Sequence, residues 1–246
     1  MQYLTLALFA GLATAQLAIP ARNGNVQVLK APRTIAAGKT QNFAYQEFDR
    51  GMKCADGDTG SANAVFILEE GATLENVIIG ANALEGVHCK GACTVRNVWF
   101  RDVCEDAVSA LGKGDVLIVG GGAQNAEDKV VQHNGSGRVT IRDYQVANVG
   151  KVYRSCGDCT GNSGKGARHV IIERLRATNV KTNLAGINSN FGDSATISGS
   201  CGTVSGEICQ QFQGVNKGSG SSKEISGKDK CLGAQGKLAR GTLSRC

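Results

Sequence analysis

The segment ATLENVIIG (72–80) decides the fold, because its pattern returns at nearly constant intervals along the chain. The later copies are CTVRNVWFR (93–101), GDVLIVGGG (114–122), GRVTIRDYQ (137–145), RHVIIERLR (168–176) and DSATISGSC (193–201). We expect one position to be equivalent in the first five copies: Leu74, Val95, Val116, Val139 and Val170. Their spacing of about 21–23 residues, longer only at the last step, is typical of a solenoid.

A second set of short β-rich runs lies between these copies, for example GVHC (86–89), DAVSA (106–110) and KVVQ (129–132). The apolar spacing of a helix is almost absent, and Gly, Asn and Asp separate the runs. We therefore predict an all-β protein, a single-stranded right-handed parallel β-helix with coils of about 21–25 residues. Only 5% of the residues are aromatic, so we expect an interior of stacked small aliphatic side chains. Asn76 and Asn97 share one phase and either stack at a corner or lie in separate exposed turns.

The two ends of the chain differ from the repeat. The segment 1–15 is apolar and ends in Ala13-Thr14-Ala15, a small-x-small cleavage pattern. We predict a signal peptide at 1–15, a β-helix domain at 16–213 and a polar, disulfide-pinned C-terminal tail at 214–246. The protein is expected to be secreted and extracellular. No later run of about 18 apolar residues follows, so we expect no membrane span.

Cysteine content and charge narrow the class further. Ten cysteines in an exported chain predict disulfides, although the CxxC at 156–159 leaves a zinc site as a weaker alternative. Lys and Arg exceed Asp and Glu by six (27 − 21) without forming a basic helix. Few aromatic residues and secretion argue against a nucleic-acid partner. We expect a monomer that binds an anionic polysaccharide.

Polar residues beside the second strand set recur once per coil. Glu85, Asp106, Lys129 and Arg154 follow one another at intervals of about 21–25 residues, which is the expected coil length, and Glu105 lies next to Asp106. Residues of equal phase in neighbouring coils lie about 4.8 Å apart. We therefore predict a ladder of carboxylates and cations on one face. Clustered carboxylates favour a hard divalent ion, and we predict Ca²⁺.

This ladder suits β-elimination of a uronic-acid polymer, with an amine removing a proton and a guanidinium stabilising the developing charge. A free lysine titrates near 10.4, so we expect both that calcium and Arg154 lower the pKa of Lys129 and that the optimum is alkaline. A β-helical hydrolase with paired carboxylates and a non-catalytic polysaccharide-binding module remain open alternatives. The Asn134-Gly-Ser136 sequon lies close to Lys129, and we expect it to be unmodified.

The motifs GATLENVIIG, EGVHCKGACTVRNVWFRDVCEDA, DKVVQHNGSG and GKVYRSCGDC resemble those of the secreted fungal pectate lyases of polysaccharide lyase family 3. The resemblance runs from about residue 48 to residue 214. It implies a calcium-dependent lyase that cleaves (1→4)-α-D-galacturonan, the polymer of low-methyl pectin, into 4,5-unsaturated oligogalacturonates. It also implies roles for particular residues: Lys129 and Arg154 as catalytic, Arg154, Lys151 and Lys113 as substrate-binding, and Glu85, Glu105 and Asp106 as calcium ligands.

Overall fold

The computed structural model describes residues 16–54 and 60–246 of the 246-residue chain, so the predicted signal peptide lies outside the described residues. Nineteen strands account for most of the regular structure. In chain order they are β1 (Gln27–Val28), β2 (Arg33–Ile35), β3 (Thr40–Asp49), β4 (Ala64–Leu68), β5 (Ala72–Ile79), β6 (Glu85–Cys89), β7 (Cys93–Phe100), β8 (Asp106–Ala110), β9 (Val116–Gln124), β10 (Lys129–His133), β11 (Gly137–Arg142), β12 (Gln145–Ser155), β13 (Arg168–Glu173), β14 (Arg176–Asn188), β15 (Ser194–Ser198), β16 (Cys201–Val204), β17 (Cys209–Gln213), β18 (Lys223–Ile225) and β19 (Cys231–Leu232). Short 3-10 turns lie at Ser61–Asn63, Asn162–Gly164 and Ser189–Phe191, and one helical turn, α1, spans Gly233–Gly236.

The strands form three parallel sheets that wind around one core. The groove sheet contains β2, β4, β6, β8, β10, the ends of β12 and β14, and β17. The second sheet contains the first halves of β3, β5, β7 and β9, then β11, β13, β15 and β19. The third contains β1, the second halves of β3, β5, β7 and β9, the starts of β12 and β14, and β16. The predicted parallel β-helix is confirmed.

Left-handed residues turn the chain between sheets. Asn76 and Asn97 have φ of 51° and 50°, and the Asn97 amide donates to Asn76 Oδ1 at 3.1 Å. A second asparagine ladder, Asn125, Asn148 and Asn179, has the same sign of φ at another corner. Asparagine tolerates this region because its short amide bonds locally. Of the two alternatives for Asn76 and Asn97, stacking at a corner is the one found.

Aliphatic side chains in register fill the interior, as expected from the low aromatic content. One predicted equivalence is wrong: Val95 pairs with Ile118, whereas Val116 pairs with Cys93. The equivalences of Leu74 with Val95 and of Val116 with Val139 are correct. A two-residue slip leaves the same strand face inward, so the apolar pattern does not distinguish the two registers.

The groove sheet sets the spacing of the predicted ladder. Asp106 pairs with Lys129, and the pairing of Val87 with Val108 places Glu85 one strand before Asp106. Lys129, however, pairs with Lys151, and Arg154 pairs with Gln132. The predicted equivalence of Lys129 with Arg154 is therefore wrong by three positions. Lys151 and Arg154 both follow Lys129 at a distance within the expected coil length. Only the strand pairing shows that Lys151 is the neighbour of Lys129.

All ten cysteines form disulfides, which excludes the zinc alternative. The pairs are Cys54–Cys104, Cys89–Cys93, Cys156–Cys159, Cys201–Cys246 and Cys209–Cys231. The last two tie the C-terminal segment to the coils. In that segment β18 runs antiparallel to β17, and β19 adds to β15. Within the described chain, no helix is long and apolar enough to cross a membrane.

Candidate active site

A groove of about 560 Å³ lies over the groove sheet. Its floor comes from β6, β8 and β10, and its ends come from the loop before β4 and the loop after β12. Eight of its lining residues carry a charged or titratable side chain: Glu85, His88, Glu105, Asp106, Lys129, Asp158, Lys165 and Lys217. The structure therefore brings together the three predicted carboxylates and the predicted base.

The carboxylates gather at the start of β6 and β8. Glu85 and Asp106 are 2% and 7% exposed, and Glu105 is partly exposed. Ser109 Oγ donates to Asp106 Oδ2 at 3.2 Å, but Asp106 Oδ1 is buried without a hydrogen-bond donor. The pKa of Asp106 is raised to about 7, mainly by burial; Lys129 opposes the rise, and Glu85 and Glu105 add to it. A buried acceptor without a donor is a position that a cation can fill.

Lys129 extends from the first residue of β10 into this cluster. Its Nζ lies 2.7 Å from Asp128 Oδ2, 3.4 Å from Asp106 Oδ1 and 3.8 Å from Glu105 Oε1. Burial disfavours the ammonium, but the charge of Asp106 and the contact with Asp128 outweigh it and raise the pKa of Lys129 above its usual value. Among these residues the expected lowering of the pKa of Lys129 is not found, and a lowering by bound calcium stays a prediction. The Lys129 ammonium is instead the counter-charge of the carboxylates that it contacts, those of Asp128, Asp106 and Glu105.

Asp128 is a residue that the sequence reasoning missed. Its carboxylate accepts hydrogen bonds from Lys129 and, at 2.5 Å, from Lys151 Nζ. Burial alone would raise the pKa of Asp128, yet these two bonds lower it below its usual value. The sequence does place an acidic residue next to the predicted base, since Asp128 directly precedes Lys129 in the DK motif. Its contact with Lys151 depends on a register that only the structure supplies.

Arg154 lies on the same sheet as Lys129, three positions beyond the phase of Lys151. Its guanidinium donates to Asn188 Oδ1 and Ser222 Oγ, both at 2.9 Å, and stacks on Phe212 with 3.9 Å between the guanidinium carbon and the ring centroid. Arg154 is 8% exposed, and burial lowers its pKa to about 10, so the cation persists at neutral pH. The structure therefore holds this arginine in one orientation, partly through the C-terminal segment.

None of the three expected substrate-binding residues, Arg154, Lys151 and Lys113, is among the residues that line this groove. Arg154 and Lys151 lie on the groove sheet one strand beyond Lys129, whereas Lys113 pairs with Ser136 at a corner of the solenoid. Two other lysines that sequence reasoning missed, Lys165 and Lys217, line the groove. They lie in a loop and in the C-terminal segment, where no repeat indicates their position.

His88 supports the carboxylate cluster from a position further along β6. Its Nε2 lies 3.2 Å from Glu85 Oε2, and its Nδ1 lies 2.9 Å from Ser61 Oγ. Both ring nitrogens therefore have partners, and the imidazole fixes the orientation of Glu85.

Glu85, Glu105 and Asp106 fit a calcium ion by donor chemistry, since all supply carboxylate oxygens and Asp106 Oδ1 lacks a donor. Among the described residues, however, no group of three His, Cys, Asp or Glu side chains is arranged so that it could hold a metal ion. An ion at these carboxylates would therefore need further oxygen ligands from water or from a bound molecule.

The fold and this groove define a class of protein: a β-helix whose open, charged cleft suits an extended anionic polysaccharide. The protein-family model described as "Pectate lyase" matches residues 16–219. The chain is 47% identical over 215 residues to pectate lyase E of Emericella nidulans, and the match covers 86% of this chain and 82% of that protein. The chain belongs to the pectate lyase family, a family of polysaccharide lyases.

Solved structures agree with this assignment. The catalytic domain of the pectate lyase PelI from Erwinia chrysanthemi superposes with a TM-score of 0.73 at 31% identity, covering 87% of this chain and 98% of that domain. PelI in complex with tetragalacturonic acid has a TM-score of 0.68 at 32% identity, covering 80% of this chain and 65% of that chain.

Proposed function

We propose that this protein is a secreted, calcium-dependent pectate lyase that cleaves (1→4)-α-D-galacturonan by β-elimination, releasing 4,5-unsaturated oligogalacturonates during pectin and plant cell wall degradation. The observation that carries the proposal is the Lys129 Nζ inside a groove, 3.4 Å from the buried Asp106 Oδ1, which accepts no hydrogen bond of good geometry. Membership of the pectate lyase family supports the reaction class. The tetragalacturonic acid complex of PelI supports the substrate class.

The charge of the groove supports the calcium requirement. Three lysines and four carboxylates line it, a balance of 3 − 4 = −1 with His88 neutral. Lining residues with this formal charge do not attract a polyanion, whereas one divalent cation changes their formal balance to +1. Glu85, Glu105 and Asp106 would hold the ion. Bound there, it would make the C5–H of the adjacent galacturonate more acidic by withdrawing electron density through the carboxylate.

Lys129 is the proposed base. Its neutral amine accepts the C5 proton, the electron pair of the C5–H bond forms the C4–C5 double bond, and the C4–O bond breaks. The departing glycosidic oxygen keeps the electron pair of the C4–O bond and takes a proton from water. Asp128 contacts the Lys129 nitrogen from outside the cluster and holds it in the groove.

Arg154 and Lys151 are the proposed substrate-binding cations. The Arg154 guanidinium is fixed by Asn188, Ser222 and Phe212, and its remaining N–H groups suit the planar carboxylate of galacturonate. A fixed donor stabilises charge that develops at C5 without reorganising during the reaction. Lys151 is held by Asp128 one strand away from Lys129. Lys113 lies at a corner of the solenoid and not on the groove sheet, so we propose no substrate contact for it.

The test is incubation with polygalacturonate, with and without a chelator, while near-ultraviolet absorbance reports the C4–C5 double bond. We expect absorbance that grows only with calcium. New reducing ends without absorbance would indicate a hydrolase instead. Binding that survives chelation without cleavage would indicate a polysaccharide-binding module.

Secretion, domain organisation and oligomeric state are also proposals. We propose a signal peptide at 1–15, a lyase domain at 16–213 and a C-terminal tail at 214–246 in a monomeric extracellular protein. Five disulfides suit an oxidising compartment. Mass spectrometry of the secreted protein tests the cleavage site, and light scattering tests the monomer.

A further inference from the structure

We propose that Lys165 and Lys217 form a second carboxylate-binding subsite in the groove, which binds a galacturonate unit away from the bond that is cleaved. This inference rests on the proposed function and extends it to substrate length. Both lysines line the groove together with Lys129, yet neither belongs to the repeat or to the carboxylate cluster. We call their part of the groove, residues 156–165 and 215–217, the far wall.

Lys165 lies beyond the reach of the reacting unit. Lys165 Nζ donates to the backbone oxygen of Asn134 at 3.1 Å, just past the end of β10. Lys129 begins that strand, five positions earlier (134 − 129). At about 3.3 Å per residue, the backbone of Asn134 lies about 17 Å along the strand from the backbone of Lys129. One carboxylate therefore does not contact both Lys129 and Lys165, and the far wall addresses a different unit of the polymer.

Hydrogen bonds and a disulfide fix the backbone of the far wall. Asn162 Nδ2 donates to the backbone oxygens of Cys156 and Val215, at 2.8 and 3.0 Å. Asn216 accepts from the Ser163 N–H at 2.9 Å, and the Lys217 N–H donates to the Cys159 oxygen at 3.2 Å. The Cys156–Cys159 disulfide closes the loop. Because the backbone is already held, ordering it on binding costs little.

The charges of the far wall favour an anion. In the described parts of the chain, 16–54 and 60–246, neither Lys165 nor Lys217 forms an ion pair. Burial and the nearby Arg168 lower the pKa of Lys165, which is the effect of a cation without a counter-charge. Asp158 is the carboxylate on this wall, so the wall has two ammonium groups against one acid. A substrate carboxylate supplies the missing negative charge.

The expected signature is a change in substrate binding without a change in chemistry. An exposed charge contact contributes up to about fivefold in affinity, so losing both lysines is expected to raise KM about tenfold. The turnover number should stay within about twofold, because neither lysine contacts the reacting atoms. The effect should be largest on long oligogalacturonates and absent on those too short to reach the far wall.

The experiment compares wild type with Lys165→Gln, Lys217→Gln, the double variant, and Lys237→Gln as a control. Lys237 is an exposed lysine of the C-terminal segment outside the groove. KM and kcat are measured with calcium on a series of oligogalacturonate lengths, and thermal unfolding checks that the variants fold. An unchanged KM in the double variant, or an equal loss on short and long substrates, would overturn the subsite.

A second measurement separates this inference from the proposed function. Calorimetric binding of polygalacturonate is measured in the Lys129→Ala background, with and without the double substitution. If wild type yields no unsaturated product, the proposed lyase reaction fails, and the binding data still decide the subsite. If wild type is active and the double variant binds equally well, only the subsite fails.

Discussion

Replacement of Lys129 tests the proposed base most directly. The side chain is 11% exposed, and its nitrogen lies within ion-pair distance of three carboxylates. The neighbouring amine of Lys151 contacts Asp128, whereas the described contacts of the Asp106 carboxylate with an amine come from Lys129. A positioned general base contributes about 10²–10⁴ in rate. We expect kcat of Lys129→Ala to fall about 10³-fold. Lys129→Arg keeps the positive charge but does not deprotonate near neutral pH, and a loss of the same size is expected.

The pH dependence has a defined sign. Only the neutral amine accepts a proton, and the surrounding carboxylates raise the pKa of Lys129. Below that pKa the neutral fraction rises tenfold per pH unit, so log kcat/KM should increase with pH at a slope of one. Calcium beside the carboxylates opposes their charge, so saturating calcium should shift the profile towards lower pH.

The assay is the initial rate of near-ultraviolet absorbance on polygalacturonate at saturating calcium. Circular dichroism and calorimetric calcium binding show whether each variant is folded and still binds the ion. Lys237→Ala serves as a control, since this exposed lysine lies outside the groove. If Lys129→Arg retained more than about a tenth of the wild-type rate, proton abstraction by this side chain would be refuted.

Three further predictions concern the groove and its support. Arg154→Lys should lower kcat/KM about 100-fold in steady-state kinetics, because lysine does not keep both hydrogen bonds and the stack on Phe212; a loss below threefold would contradict this role. Asp106→Asn should weaken calcium binding at least tenfold by calorimetry, and equal affinity would exclude it as a ligand. Burial lowers the pKa of His133 to about 3, below 6.5 in the unfolded chain, so stability is complete above pH 6.5 and is lost as pH falls. From pH 6.5 to 5 the loss is about 2 kcal/mol in urea unfolding, and His133→Gln should lack this part of the pH dependence.

The C-terminal segment illustrates a limit of sequence reasoning. As a polar stretch with little pattern it predicted a pinned tail, and its two disulfides agree with that description. The same segment also orients Arg154 through Ser222 and brings Lys217 to the groove. These contacts join residues that are far apart in the chain, and no local periodicity encodes them.

The repeat in the sequence was sufficient for the fold class and for one face of the site. Because each coil of a parallel β-helix returns to the same phase, residues about one coil apart become neighbours, and Asp106 with Lys129 followed from spacing alone. Tertiary structure decided the rest: the two-residue register at Val116, the choice of Lys151 over Arg154 as the neighbour of Lys129, the shared contacts of Asp128, and the far wall. Side-chain alternation repeats every two residues, so it tolerates the even slip at Val116. Coil length itself varies, so spacing alone does not choose between Lys151 and Arg154, and loops and tails lie outside the repeat altogether.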